Sequence, residues 1–189
     1  MQITFLKSKV LSMVAIVCLS VFGVTAYASE LSWSETEDGK VSLKFLAGGE
    51  RVLEMPDGIK GVFFDGVQHY VDGDGYLSVI QVADSKPEEP ESVCGAGNEV
   101  WLQVYKGNGE LSSRILVSSC LESISLASQN SGLEEQDNDF SSIKWSEDGI
   151  SIKWFSKKDC DGRSLSATHY KICGDLFCAS DVLERSEAE

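Results

Sequence analysis

The sequence predicts an all-β fold: a single antiparallel β-sandwich or barrel-like domain built from hairpins. Three observations carry this. Apolar residues alternate with polar ones at period two, as in Val41, Leu43, Phe45 and again in Ile150, Ile152, Trp154. Turn dipeptides recur at short intervals: Asp38-Gly39, Asp57-Gly58, Asp65-Gly66, Asp72-Gly73, Asn108-Gly109, Asp148-Gly149 and Asp161-Gly162. Beyond residue 28, no long stretch shows the 3.6-residue rhythm of an amphipathic helix.

The chain opens with a different kind of segment. Lys7 and Lys9 precede an apolar run from Val10 to Val24, and Ala26-Tyr27-Ala28 supplies the small residues of a cleavage site. Residues 1–28 therefore read as a secretory signal helix cut between Ala28 and Ser29. The run is shorter than the roughly 20 residues that span a bilayer. A lipoprotein reading at Cys18 lacks the small residue expected before it, where Val17 stands. Export of the Gram-negative bacterial type would place the mature chain in the periplasm or outside the cell.

The expected mature domain is 29–189. Its strands are expected at Leu31–Trp33, Val41–Phe45, Arg51–Leu53, Gly61–Phe64, Gln68–Val71, Tyr76–Val82, Val100–Tyr105, Ile115–Val117, Ser123–Leu126, Ser142–Trp145, Ile150–Trp154 and Leu165–Ile172. Two polar, acidic stretches near 84–92 and 128–140 lack apolar rhythm and are expected to be surface loops. Ala179–Glu189 is expected to be a short terminal helix or a frayed acidic tail. The segment Ile143–Trp154 echoes Leu31–Phe45, each a strand with a Trp, an acidic turn and a second strand. Turn chemistry alone can produce that likeness.

Composition bounds the function. The whole chain carries 16 basic and 30 acidic residues. Removing the leader and its two lysines makes the balance still more negative. Such a field repels nucleic acid and anionic lipid and would attract a basic protein. The Walker, dinucleotide and Gly-x-Ser-x-Gly patterns are absent, and the two histidines lie within expected strands.

Five cysteines remain after the leader: Cys94, Cys120, Cys160, Cys173 and Cys178. In an oxidising compartment they should pair, with one left over. Cys94 and Cys120 flank the hairpin that turns at Gly107-Asn108-Gly109. Closing that hairpin brings them together. Among the other three, all three pairings are open: Cys173 and Cys178 could clip a tight turn, but the favoured expectation is that Cys160 is bridged to Cys173 or Cys178. Cys160, His169, Cys173 and Cys178 are zinc-ligand types, but their spacing matches no common zinc motif.

One local motif suggests a cation. Tyr70-Val-Asp72-Gly73-Asp74-Gly75-Tyr76-Leu-Ser78 resembles the calcium loops of the FG-GAP type of β-propeller repeat. The resemblance implies Asp72 and Asp74 as calcium ligands, with Tyr70 and Ser78 standing where further acidic ligands would be. The alternative is an Asp-Gly hairpin turn.

The functional expectation is a non-catalytic exported acidic β-protein, a protein-binding or inhibitor/immunity-type module without a cofactor. Two alternatives remain. One is a structural envelope-associated protein with no ligand. The other is a carboxylate-based hydrolase, with paired loop acids in a cleft walled by Trp33 or Trp145.

Overall fold

The computed structural model of the chain describes residues 31–184. The signal segment 1–28 and the cut between Ala28 and Ser29 lie outside the described residues. Those residues form thirteen strands, with no α-helix among them. They are β1 (Ser32–Glu35), β2 (Lys40–Lys44), β3 (Glu50–Glu54), β4 (Ile59–Phe64), β5 (His69–Val71), β6 (Asp74–Asp84), β7 (Asn98–Lys106), β8 (Leu111–Ser119), β9 (Ser125–Leu126), β10 (Ile143–Ser146), β11 (Gly149–Ser156), β12 (Leu165–Cys173) and β13 (Leu176–Glu184). No helix among the described residues is long and apolar enough to cross a membrane.

The strands form a sandwich-like all-β fold. One sheet runs β1-β4-β6-β7-β8, with β5 on β6. The other runs β10-β11-β12-β13, with β9 on β11. The hairpin β2–β3 pairs only with itself. All pairings are antiparallel.

Strand periodicity divides the core in two. Tyr76, Ile80 and Val82 of β6 join Val100, Leu102 and Val104 of β7 on one face, where they meet Ile150, Ile152, Trp154 and Phe177 of the second sheet. The intervening Leu77 and Val79 face the other way. There they meet Val41, Leu43, Leu53 and Met55 of the β2–β3 hairpin. β6 is thus covered on both faces, which explains its nearly unbroken apolar run from Leu77 to Ala83. One polar chain interrupts the smaller core. Tyr105 donates to Gln103, Gln103 donates to Gln81, and Gln81 Nε2 lies 3.8 Å from Met55 Sδ.

One sequence expectation needs revision. Of the expected terminal helix or tail, Ala179–Glu184 is strand, part of β13, and the remainder, 185–189, lies outside the described residues. β12 offers β13 a ladder of eight residue pairs, and that tertiary partner overrides local preference. The Trp echo also divides. The Trp33 arm pairs with β4, whereas the Trp145 arm pairs with its own hairpin neighbour β11.

Tyr170 on β12 packs at the margin of the larger core. Burial pushes its phenol up to about 12. The unfolded chain loses this proton near pH 10, and the folded chain keeps it until about pH 12. The contribution is therefore present in full below pH 10 and lost as pH rises through 12. We expect Tyr170→Phe to remove about 1.4 kcal/mol of the stability lost between pH 8 and pH 11. Denaturant titrations at pH 8 and pH 11 check this. Equal alkaline loss in both proteins would exclude Tyr170 as its source.

Candidate functional site

A concavity lies at the end of the sandwich where β7 begins and β8 ends. Ala96, Gly97 and Asn98 form one wall, and Ser118, Ser119 and Cys120 another. Ser123–Ser125, Gln129, Asp137 and Ser156 close the remaining side. The groove holds about 490 Å³, within the usual range for a small ligand site.

Hydrogen bonds fix its lining. Ser119 Oγ accepts from Glu122 N at 2.9 Å, shaping the turn after β8. Ser156 Oγ donates to Ser123 O at 2.7 Å and ties β11 to that turn. Gln129 spends its amide on the loop: Oε1 accepts from Leu126 N, and Nε2 donates to Asp137 O at 2.8 Å. The Asp137 carboxylate makes no hydrogen bond or ion pair among the described residues.

Cys94 and Cys120 are bridged beside the groove, with Cα atoms 5.6 Å apart. The β7–β8 ladder aligns Glu99 with Ser119 and so brings the two ends together. Exposed Val93 and Leu121 flank the bridge. The flanking loops carry exposed Glu88, Glu89, Glu91, Glu122, Glu134, Glu135 and Asp137. Charge is unevenly shared along the chain: residues 31–139 hold 20 acids and 7 bases, whereas 140–184 hold 7 and 6.

The second bridge joins Cys173 and Cys178 across the β12–β13 turn, with Cα atoms 5.8 Å apart. Cys160 is free and exposed, which corrects the expectation that it is bridged to one of them. The reason is the strand between them. Cys160 sits beyond the Leu165 end of β12, and Cys173 is at the other end. Nine extended residues hold those ends roughly 27 Å apart. The zinc-type quartet is dispersed for the same reason.

Asp72 and Gly73 form the two-residue loop of the β5–β6 hairpin. Both have left-handed backbone, φ 52° and 88°, as a type I′ turn requires. No group of three or more His, Cys, Asp or Glu that could hold a metal ion occurs among the described residues.

Two histidine clusters merit chemical reading. Asp65 Oδ2 lies 2.7 Å from His69 Nε2, and the His69 ring stacks on Trp145 at 4.3 Å. This stack joins β5 of one sheet to β10 of the other. Asp72 N, donating to Glu147 O, adds a second tie. On the outer face of the second sheet, Ser151 Oγ lies 2.8 Å from His169 Nδ1. Asp148 Oδ2 is 3.5 Å from His169 Nε2, which has no hydrogen-bond partner. A hydrogen bond from Ser146 and the nearby His169 hold the Asp148 carboxyl below its ordinary range. The trio has the residue types of a nucleophilic triad. Ser151, however, sits mid-strand, where β11 is paired to β10 on one side and β12 on the other. Its surroundings offer no pair of free backbone N–H groups for an oxyanion, so we read the trio as a cross-strand clamp.

The hydrolase alternative asked for paired acids beside Trp33 or Trp145. The groove is lined by one carboxylate, Asp137, and by neither tryptophan. Trp33 lies exposed on β1 against Phe63. No sequence motif marks the groove. Its lining comes from separate segments rich in ordinary serines, amides and small residues, which carry no motif.

Fold and site together define a sandwich-like β-protein with a polar, acid-rimmed groove at one end. Comparison with protein-family models, curated proteins and solved structures finds no match.

Proposed function

We propose that this chain is a non-catalytic, exported binding module that covers a basic protein surface, in the manner of an inhibitor or immunity protein. The supporting observation is the excess of exposed carboxylates on the two loops that supply part of the groove wall. Those loops, 85–97 and 127–142, carry a single basic residue, Lys86. A surface with such an excess of one charge favours an incoming cationic surface. The apolar side chains of Val93 and Leu121 supply contact area within that charged rim. The reading places the module in the periplasm and needs no cofactor.

The test is salt-dependent binding to defined proteins. Immobilised mature chain is expected to retain basic proteins of known sequence at about 50 mM salt and release them by about 500 mM, as screening shortens the reach of exposed charge. Acidic proteins should pass through. Glu134→Lys with Glu135→Lys should weaken retention. Equal retention of basic and acidic proteins, or none of either, would reject this reading in favour of an envelope protein without a ligand.

A further inference from the structure

We infer that the groove receives one arginine or lysine side chain projected from the partner, an inference that rests on the proposed function and deepens it. The argument is an inventory of donors and acceptors. The lining contains one anion, Asp137, and no Lys, Arg or His. Gln129 spends both ends of its amide within the loop, so it offers little to a ligand. The Asp137 carboxylate is left over, as are the hydroxyls of Ser118 and Ser125, which make no side-chain hydrogen bond among the described residues. A free carboxylate and free hydroxyls lining one groove suit a donor-rich cationic head. Val100 and Ile124 also line the groove and can take an alkyl stem. An anionic ligand would meet Asp137 and the acidic rim. A flat aromatic platform for a sugar ring is missing from the lining.

The test uses isolated side chains as probes. Nα-acetyl-arginine amide and Nα-acetyl-lysine amide are titrated into the ¹⁵N-labelled mature chain, following the backbone amides of Ser123, Gln129 and Asp137. Nα-acetyl-norleucine amide and N-acetylglucosamine are the controls. Saturable shifts with the two cations, in the millimolar range, are the expected result. Asp137→Asn should weaken them about twofold to fivefold, the span of an exposed ion pair. Ala96→Trp, at an exposed position on the groove wall, should abolish them by filling the space. Shifts of equal size with norleucine or the sugar would overturn the inference. So would the absence of shifts with either cation, or an unchanged response in Asp137→Asn. If the probes fail while basic proteins are still retained at low salt, the groove assignment falls and the binding-module reading stands.

Discussion

Trp154→Ala should lower the unfolding free energy by about 3–5 kcal/mol, the range for a buried Trp or Phe cut to Ala. Trp154 is 2 % exposed and sits where β11 meets both β9 and the core between the sheets. Its Nε1 donates to Thr168 Oγ1 at 2.9 Å, and Thr168 is 3 % exposed. Truncation therefore opens a cavity and strands a buried hydroxyl together. Lys157 Nζ lies 4.5 Å from the centre of the indole ring, and burial holds this ammonium below its ordinary range. Losing the ring removes that contact as well. Trp154→Phe separates the two effects. It keeps most of the volume and loses the N–H donor, so about 1–3 kcal/mol is expected. Urea unfolding followed by far-UV circular dichroism measures both. A loss below about 1 kcal/mol for the Ala variant would mean that the second sheet does not rest on this side chain.

Alternation made much of the sandwich readable from residue types. Val41 and Leu43 point into one core and Ile150, Ile152 and Trp154 into the other, as period two requires. The Asp72-Gly73 loop was readable for a related reason, since two consecutive left-handed positions favour few residue pairs. Other features depended on partners that local sequence does not name. β8 starts at Leu111, four residues before the apolar run that marks it. Ser112 and Ser113 are buried there because their hydroxyls meet the β12–β13 turn. Ser112 Oγ donates to Asp175 O, and Ser113 Oγ accepts from Phe177 N. β13 was hidden likewise, because its short mixed sequence becomes strand only beside β12. The cysteines show the limit of counting along the chain. Cys160 is near Cys173 in sequence, but a straight strand lies between them and acts as a spacer. The groove was the least legible feature, because shape arises only when separate ends of β7, β8, β9 and β11 converge.

Replacing Cys94 and Cys120 together by Ser should cost about 3–4 kcal/mol, the chain-entropy value for a bridge across 26 residues. In a chain of this length that lowers Tm by roughly 10 °C. The Cys173–Cys178 bridge spans only five residues and lies over a hairpin turn that β12 and β13 already close. Its removal should cost less, about 2 kcal/mol or below. The two bridges also differ in what they hold. Cys94 ties loop 85–97 to the end of β8. Gly95 in that loop lies so close to Glu89 and Pro90 that an added Cβ would come within 2.4 Å of their backbone. Without the bridge, this folded-back loop keeps few ties to β8, and one wall of the groove can peel away. Calorimetry should therefore rank the double variants in the stated order. Response to the arginine probe should fall in Cys94→Ser/Cys120→Ser and persist in Cys173→Ser/Cys178→Ser. The reverse order would place the structural weight of the oxidised chain on the β12–β13 hairpin, and the groove wall would then be held by the Ser85–Gly97 backbone contact and its neighbours instead of by sulfur.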